Sequence, residues 1–326
     1  MMQRLALLLL VAFVLPGCAL SRSGGGASVP VAFSSPPALP QIVEAINANS
    51  QQVRQIHSSS VRLSIPRQLG SMNATMDYER SATPEQTPGR FRLAAEALGT
   101  RQLDLGSNDD KYWMWVKQSK PPTVFWGQHV DFYRSAAQQV LPMPPTWIIE
   151  ALGVVTLDPA GMHQVYESPT DPGLVQVWSQ LETPKGQLTR ILEVDWRNAL
   201  IVQQQIYDPD KRLLAVADLA DFTHDPLQGV TLPKSIKIKL PPAGLAFNFE
   251  VDSYTINQPV SDPMALWSMP EINGHRYRDL ANPADMQGIQ LMGQTLGTYE
   301  SQAVKAPVRP EQRSAWRNMP VFNFLR

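Results

Sequence analysis

The stretch Leu188–Phe222, LTRILEVDWRNALIVQQQIYDPDKRLLAVADLADF, constrains the fold more than any other part of the chain. Apolar and polar residues alternate along it, and two clusters of turn-forming residues break the alternation, which predicts three successive antiparallel strands. Leu192, Val194 and Trp196 share one face of the first strand, and Glu193 and Asp195 share the other. Arg197-Asn198-Ala199 turns the chain. Leu200, Val202 and Ile206 line the second strand, and Asp208-Pro209-Asp210-Lys211 turns it again before Leu213. Such a meander has one dry face and one wet face. What covers the dry face is the functional question.

The same alternation recurs on both sides. Val61, Leu63 and Ile65, then Met72, Ala74, Met76 and Tyr78, then Phe91, Leu93, Ala95 and Ala97 each predict a strand, as do Gln164–Glu167 and Leu174–Leu181. Tyr112-Trp113-Met114-Trp115-Val116 is apolar on both faces and predicts a central strand covered on both sides, followed by Val124-Phe125-Trp126. After the meander, Ile236, Ile238 and Leu240 alternate with Lys237 and Lys239, and Phe247, Phe249 and Val251 oppose Asn248, Glu250 and Asp252. The apolar parity changes at Tyr254 and Ile256, which predicts a bulge near Asp252-Ser253. Two helices are expected. One covers Gln41–Ile56, with Ile42, Ala45, Ile46, Val53 and Ile56 on one stripe. The other is short, Thr146–Leu152, entered through Pro142, Pro144 and Pro145 and stopped by Gly153. About ten to twelve strands with helices at the front and middle favour a mainly β (α+β) fold: a single strongly curved antiparallel sheet, or half-open β-barrel, under a helical lid.

The ends differ from this body. Residues 1–17 have the layout of a secretory signal, with Arg4 ahead of an apolar run from Leu5 to Leu15 that is too short to span a bilayer. Leu15-Pro16-Gly17-Cys18 resembles a bacterial lipobox, which implies that Cys18 is lipidated and anchors the chain to a membrane. Cys18 is the only cysteine, so no thiol then remains for a disulfide or a metal site. Residues 18–40 are rich in Ser, Gly and Pro and read as a flexible tether from the lipidated Cys. Residues 257–326, punctuated by prolines, read as an extended, partly disordered appendage. Arg309, Arg313 and Arg317 recur there at four-residue spacing, and the appendage is the expected dock for an envelope protein partner. A net charge of −1 with 17% charged residues leaves no basic field for nucleic acid.

Catalytic motifs are not found. His57, His129, His163, His224 and His275 are scattered without HExxH or paired spacing, so no metal is expected. Gly106-Ser107 lacks the GxSxG frame of a nucleophile elbow. Asp109 and Asp110 form the carboxylate pair that a hydrolase of envelope polymers would need, yet beside Gly106-Ser107-Asn108 they have the composition of a hairpin turn. The expectation is a non-enzymatic protein without cofactors. What stands out instead is apolar surface. Trp113, Trp115, Phe125, Trp147, Ile148, Leu192, Val194, Ile236, Ile238, Phe247 and Phe249 are the expected lining of a lipid cavity, with Thr146–Leu152 as its lid. Burying an acyl chain there would contribute roughly 0.8 kcal/mol per methylene. The alternative is an envelope scaffold whose barrel is filled by its own side chains and whose tail docks a partner.

Several landmarks recur in one known family. A helix precedes strands ending at Tyr78-Glu79-Arg80, then come Gly89-Arg90-Phe91-Arg92-Leu93, a turn before an aromatic strand at Gly106–Trp115, the Pro-led helix at Pro142–Leu152, the meander, and Leu232-Pro233-Lys234-Ser235-Ile236. From about residue 41 to 256 this order resembles the LolA/LolB-like periplasmic lipoprotein carriers and receptors. The resemblance implies a half-open antiparallel barrel with a helical lid over a hydrophobic cavity, and lipid or lipoprotein acyl chains as ligand. It also implies a lid latch at Arg80, although the family's Arg-Pro is Arg80-Ser81 here, and Val116-Lys117 replaces an Asp-Pro. A lipidated Cys18 is similar to the membrane-bound receptor, and Ala19 after it fits retention in the outer membrane, facing the periplasm.

Overall fold

The computed structural model describes residues 27–66, 70–81, 89–119, 121–135 and 137–285. Among them, fifteen strands form one sheet: β1 (Gln55–Ser64), β2 (Met72–Arg80), β3 (Gly89–Ala97), β4 (Thr100–Ser107), β5 (Lys111–Val116), β6 (Thr123–Gln128), β7 (His163–Glu167), β8 (Leu174–Thr183), β9 (Gly186–Asp195), β10 (Leu200–Tyr207), β11 (Leu213–Asp225), β12 (Val230–Leu240), β13 (Leu245–Val251), β14 (Thr255–Ile256) and β15 (Arg276–Asp279). The helices are α1 (Leu39–Gln52), α2 (Ala137–Val140), α3 (Trp147–Ala151) and α4 (Pro263–Leu266). The expected ten to twelve strands are thus exceeded, through short edge pieces with too few residues to show a period.

The sheet runs β15-β6-β5-β4-β3-β2-β1-β13-β12-β11-β10-β9-β8-β7, with β14 beside β1. It consists of two meanders, β6 back to β1 and β7 on to β13, joined where Val61, Leu63 and their neighbours pair with Val251 and Phe249. The sheet is curved and does not close. One face of it wraps a main core that collects Phe125, Met114, Leu93, Met76, Leu63, Phe249, Ile238, Ala217 and Ile206 from successive strands. This is the half-open barrel that alternation predicts, with one departure: β15 pairs parallel to β6 at the edge. The break near Asp252-Ser253 is present. β13 stops at Val251, the Asp252 N–H donates to the Ser60 carbonyl, and β14 pairs separately with Ile56 and His57 beyond a register shift in β1.

Helix α1 begins two residues earlier than expected and ends four earlier. Pro40 sits in its first turn, and the Gln41 side chain accepts from the Ala38 N–H. At the other end Val53 is extended, and the N–H groups of Arg54 and Gln55 donate to the Asn257 carboxamide oxygen instead of continuing the helix. Val53 and Ile56 keep their place in the core by leading into β1.

Both appendages differ from expectation where they are described. Ala32 and Phe33 both donate N–H to the Arg197 carbonyl, and Asn198 donates to that of Pro30, so this part of the expected tether lies along the β9–β10 turn. Residues 257–285, expected to be an extended appendage, carry α4 and β15 and bury Trp267 and Leu280. They fold because the outer face of β5 and β6 is itself apolar: Trp113, Trp115 and Val124, with Trp126, pack against Met269 and Ile272. The Arg92 guanidinium binds the Ala265 and Leu266 carbonyls, and the Trp267 indole donates to Glu79. Cys18, the signal segment and Arg309, Arg313 and Arg317 lie outside the described residues.

Candidate functional site

The topology places the site. β6 lies near one edge of the sheet and β7 at the other, so the chain between them must cross the concave face. This crossover contains a 3-10 turn at His129–Arg134, then α2 and α3, and reaches Val155 and Leu157 under α1. Its side chains Phe132, Ala137, Val140, Trp147, Ile149 and Leu152 sit in the core formed by the sheet. The N–H groups of Trp147 and Ile148 donate to the carbonyls of Pro144 and Pro145, which starts α3 where the prolines predict. Gly153 ends it with φ +87, a left-handed conformation that favours glycine.

Between α3 and the sheet remains a slot with no charged residue in its lining. Phe91, Leu103, Leu105 and Met114 form one wall, Leu240, Leu245 and Phe247 another, and Leu141, Met143, Pro144, Pro145, Trp147 and Ile148 of the crossover form the cover; Gly106 and Trp113 border it. Its cavity volume is about 40 Å³. That corresponds to about three waters, against roughly 300–1,000 Å³ for pockets that enclose drug-sized ligands. The open hollow expected from the sequence is therefore not present in this conformation: the crossover fills most of it.

The expected lining residues separate into three groups. Phe125, Trp147, Ile148, Ile236, Ile238, Phe247 and Phe249 face the main core. Leu192 and Val194 belong to a second cluster, beneath Ile42, Val43 and Ile46 of α1. Trp115 is corrected: it packs on the outer face under residues 257–285, because Tyr112, Met114 and Val116 take the inner positions of β5; Trp113 shares that outer cluster and also borders the slot. Trp113 lies over Gly106, where an added Cβ would come within 2.0 Å of its ring, and donates its indole N–H to Asp104 at 2.9 Å. Phe91 was legible as a strand residue by parity, whereas Leu103 and Leu105 lie on β4, which the alternation did not single out. Leu141 and Met143 lie in a segment without period, and no sequence signal marks them.

A buried charge lies on the inner face, beside the buried Ser179 of β8. Arg190 of β9 is 3% exposed, and its Nη1 donates to the Glu150 carboxylate of α3 at 3.1 Å. The Gln204 Nε2 of β10 donates to the same oxygen at 2.9 Å. Tyr133 is pushed up to about 12, chiefly by burial and further by the charge of Glu150. Arg80, the expected latch, donates from Nε and Nη2 to the Val53 and Ser50 carbonyls, so it holds the C-terminal end of α1. Helix α1 is tied to the crossover as well, by Asn47 bonded both ways to the Leu157 backbone and by Ser50 beside Thr156.

Of the residues weighed for hydrolysis, Asp110 is exposed at the turn, and Asp109 and Ser107 are engaged within the fold. Asp109 accepts from Arg90, which holds its carboxyl below the usual range, and from Ser81. Ser107 is fully buried, 3.1 Å from His129 Nε2, and burial lowers the His129 imidazole. Among the described residues no group of three His, Cys, Asp or Glu side chains is placed to hold a metal ion, and no helix is long and apolar enough to cross a membrane.

Fold and slot together define a half-open β-barrel whose concave face is covered by its own crossover. No family model and no curated protein matches the sequence. Among solved structures, the chain is similar to a Vibrio parahaemolyticus domain assigned as an outer membrane lipoprotein-sorting protein, at 7% identity and TM-score 0.48, over 68% of this chain and 94% of that one. It is similar to a LolA superfamily protein from Nitrosomonas europaea at 11% identity and TM-score 0.41, over 70% and 97%. The Mycobacterium tuberculosis lipoprotein LppX overlaps at 10% identity and TM-score 0.25, over 69% and 99%. Overlaps of this size leave the ligands and partners of those proteins with those proteins.

Proposed function

We propose that this chain is a non-enzymatic protein of the bacterial envelope that binds the acyl chains of a lipid or lipoprotein beneath its crossover, anchored through a lipidated Cys18. The observation that carries this reading is the slot: every lining residue is apolar, and its cover is a segment of short helices rather than part of the sheet. Helices of four and five residues have little stability of their own and depend on the packing beneath them. An acyl chain offers equivalent apolar contact. It can replace the crossover's side chains against the sheet at small net cost, and the slot marks where the replacement starts. The Cys18 motif supports the anchoring, and an outer-membrane, periplasm-facing location follows from the same motif with Ala19.

The filled concavity favours a second reading, an envelope scaffold that uses the barrel as a solid body and docks a partner through the chain beyond residue 285. Native mass spectrometry of the Cys18→Ser protein purified from bacterial envelopes separates the two. The lipid-binding reading expects a reproducible population carrying one extra acyl-lipid mass. A uniformly ligand-free protein, even after incubation with envelope lipid extract, overturns it.

A further inference from the structure

We propose that Arg190 and Gln204 form a headgroup anchor for an anionic acyl amphiphile, and that Glu150 of the crossover occupies this anchor in the closed conformation. The inference rests on the lipid-binding reading and goes beyond it by assigning the charge of the ligand. A buried arginine on the concave face is costly unless its charge is met. Here it is met by a single carboxylate that belongs to the crossover helix α3 and not to the sheet. Two polar atoms of the anchor stay unmatched: Arg190 Nε and Gln204 Oε1 are buried without a hydrogen-bond partner. Gln204 itself is fully buried. One carboxylate oxygen therefore takes one donor from each side chain and leaves a further donor and an acceptor unused. A headgroup with an oxyanion and an adjacent hydroxyl would use both.

The placement joins this anchor to the slot. Trp147 and Ile148 cover the slot, and Glu150 follows on the same short helix. Displacing α3 opens the apolar space and strips Arg190 of its carboxylate in one movement. A neutral ligand that entered would leave the arginine buried and unpaired, whereas an anionic one restores the pairing. Glu150 acts as an internal competitor, and apparent affinity is set by how often it leaves the anchor.

The test is calorimetric titration of the protein, below the ligand's aggregation concentration, with oleate, with oleyl alcohol and with acetate. Wild type is expected to bind oleate at least about tenfold more tightly than oleyl alcohol, the scale of one charge-assisted hydrogen bond. Arg190→Met is expected to bring that ratio close to one while oleyl alcohol still binds. Glu150→Gln, which keeps the arginine and nearly the same shape, is expected to raise oleate affinity about tenfold by weakening the competitor. Equal binding of oleate and oleyl alcohol by wild type and by Glu150→Gln overturns the anchor and leaves the lipid-binding reading standing. Binding of acetate as tight as that of oleate overturns the amphiphile and reduces the site to an ion site. If neither oleate nor oleyl alcohol binds any of the three proteins, the lipid-binding reading falls together with the anchor.

Discussion

At the scale of single residues, two buried polar groups on opposite faces of the sheet show how differently a buried charge can be treated. Asp104 on the outer face is fully buried and accepts from Arg92, Arg101 and the Trp113 indole, so its oxygens are well matched within the fold. Arg190 on the inner face has one carboxylate, from a short helix, and an unmatched Nε. The first is a structural fastening and the second is a site that a ligand can complete. His129 supplies a prediction on pH. Burial holds its imidazole below the ordinary value, so between the folded pKa and 6.5 the unfolded chain binds more protons than the folded one. This contribution to stability is present above about 6.5 and is lost as pH falls toward the folded value. Urea unfolding at pH 7 and pH 5 measures it: wild type should lose more stability on acidification than His129→Gln, and equal losses would contradict the assignment. Asp109 acts in the same direction in a lower window, since its carboxyl is held down by Arg90 and its contribution disappears only as it protonates.

At the scale of elements, the crossover differs in kind from the strands. The strands were legible because side chains of period two face a single core, and the inner residues of β1, β2, β3, β12 and β13 follow the alternation read from the sequence. α3 was legible from its flanking prolines and Gly153. The 3-10 turn at His129–Arg134 and α2 were not, because six and four residues are too few to display a helical stripe. The facing of Trp113 and Trp115 was illegible for another reason: a strand apolar on both faces offers no parity to choose between them. A cover built from such short pieces holds mainly by what it buries, and Trp147 is its largest buried side chain over the slot. Its indole nitrogen has no hydrogen-bond partner, so Trp147→Ala removes apolar contact without removing a bond. The substitution is expected to cost about 3 kcal/mol in urea unfolding and to speed the uptake of a fluorescent acyl probe. Lost stability with unchanged or slower uptake would place the cover elsewhere.

At the scale of the whole molecule, an open sheet of this length has to manage two faces and two edges. The concave face is filled by the crossover and α1, and the convex face at β5 and β6 is covered by residues 257–285, which continue the edge as β15. The sequence could announce a dry face that needs a cover, but not that the chain's own middle segment supplies it. That outcome depends on β6 and β7 lying toward opposite ends of the sheet order, a property of pairing that no local pattern contains. The same topology makes the crossover the part that must yield if the concavity is to admit an acyl chain. Spin labels at Thr146, at the start of α3, and at Leu98, on the exposed tip of the β3–β4 hairpin, report the distance between cover and sheet in a Cys18→Ser background. Electron–electron dipolar spectroscopy should show a single distance distribution without lipid and a second, longer one whose share grows with added oleate. A distribution that stays unchanged while oleate is demonstrably bound would contradict the displacement of the crossover.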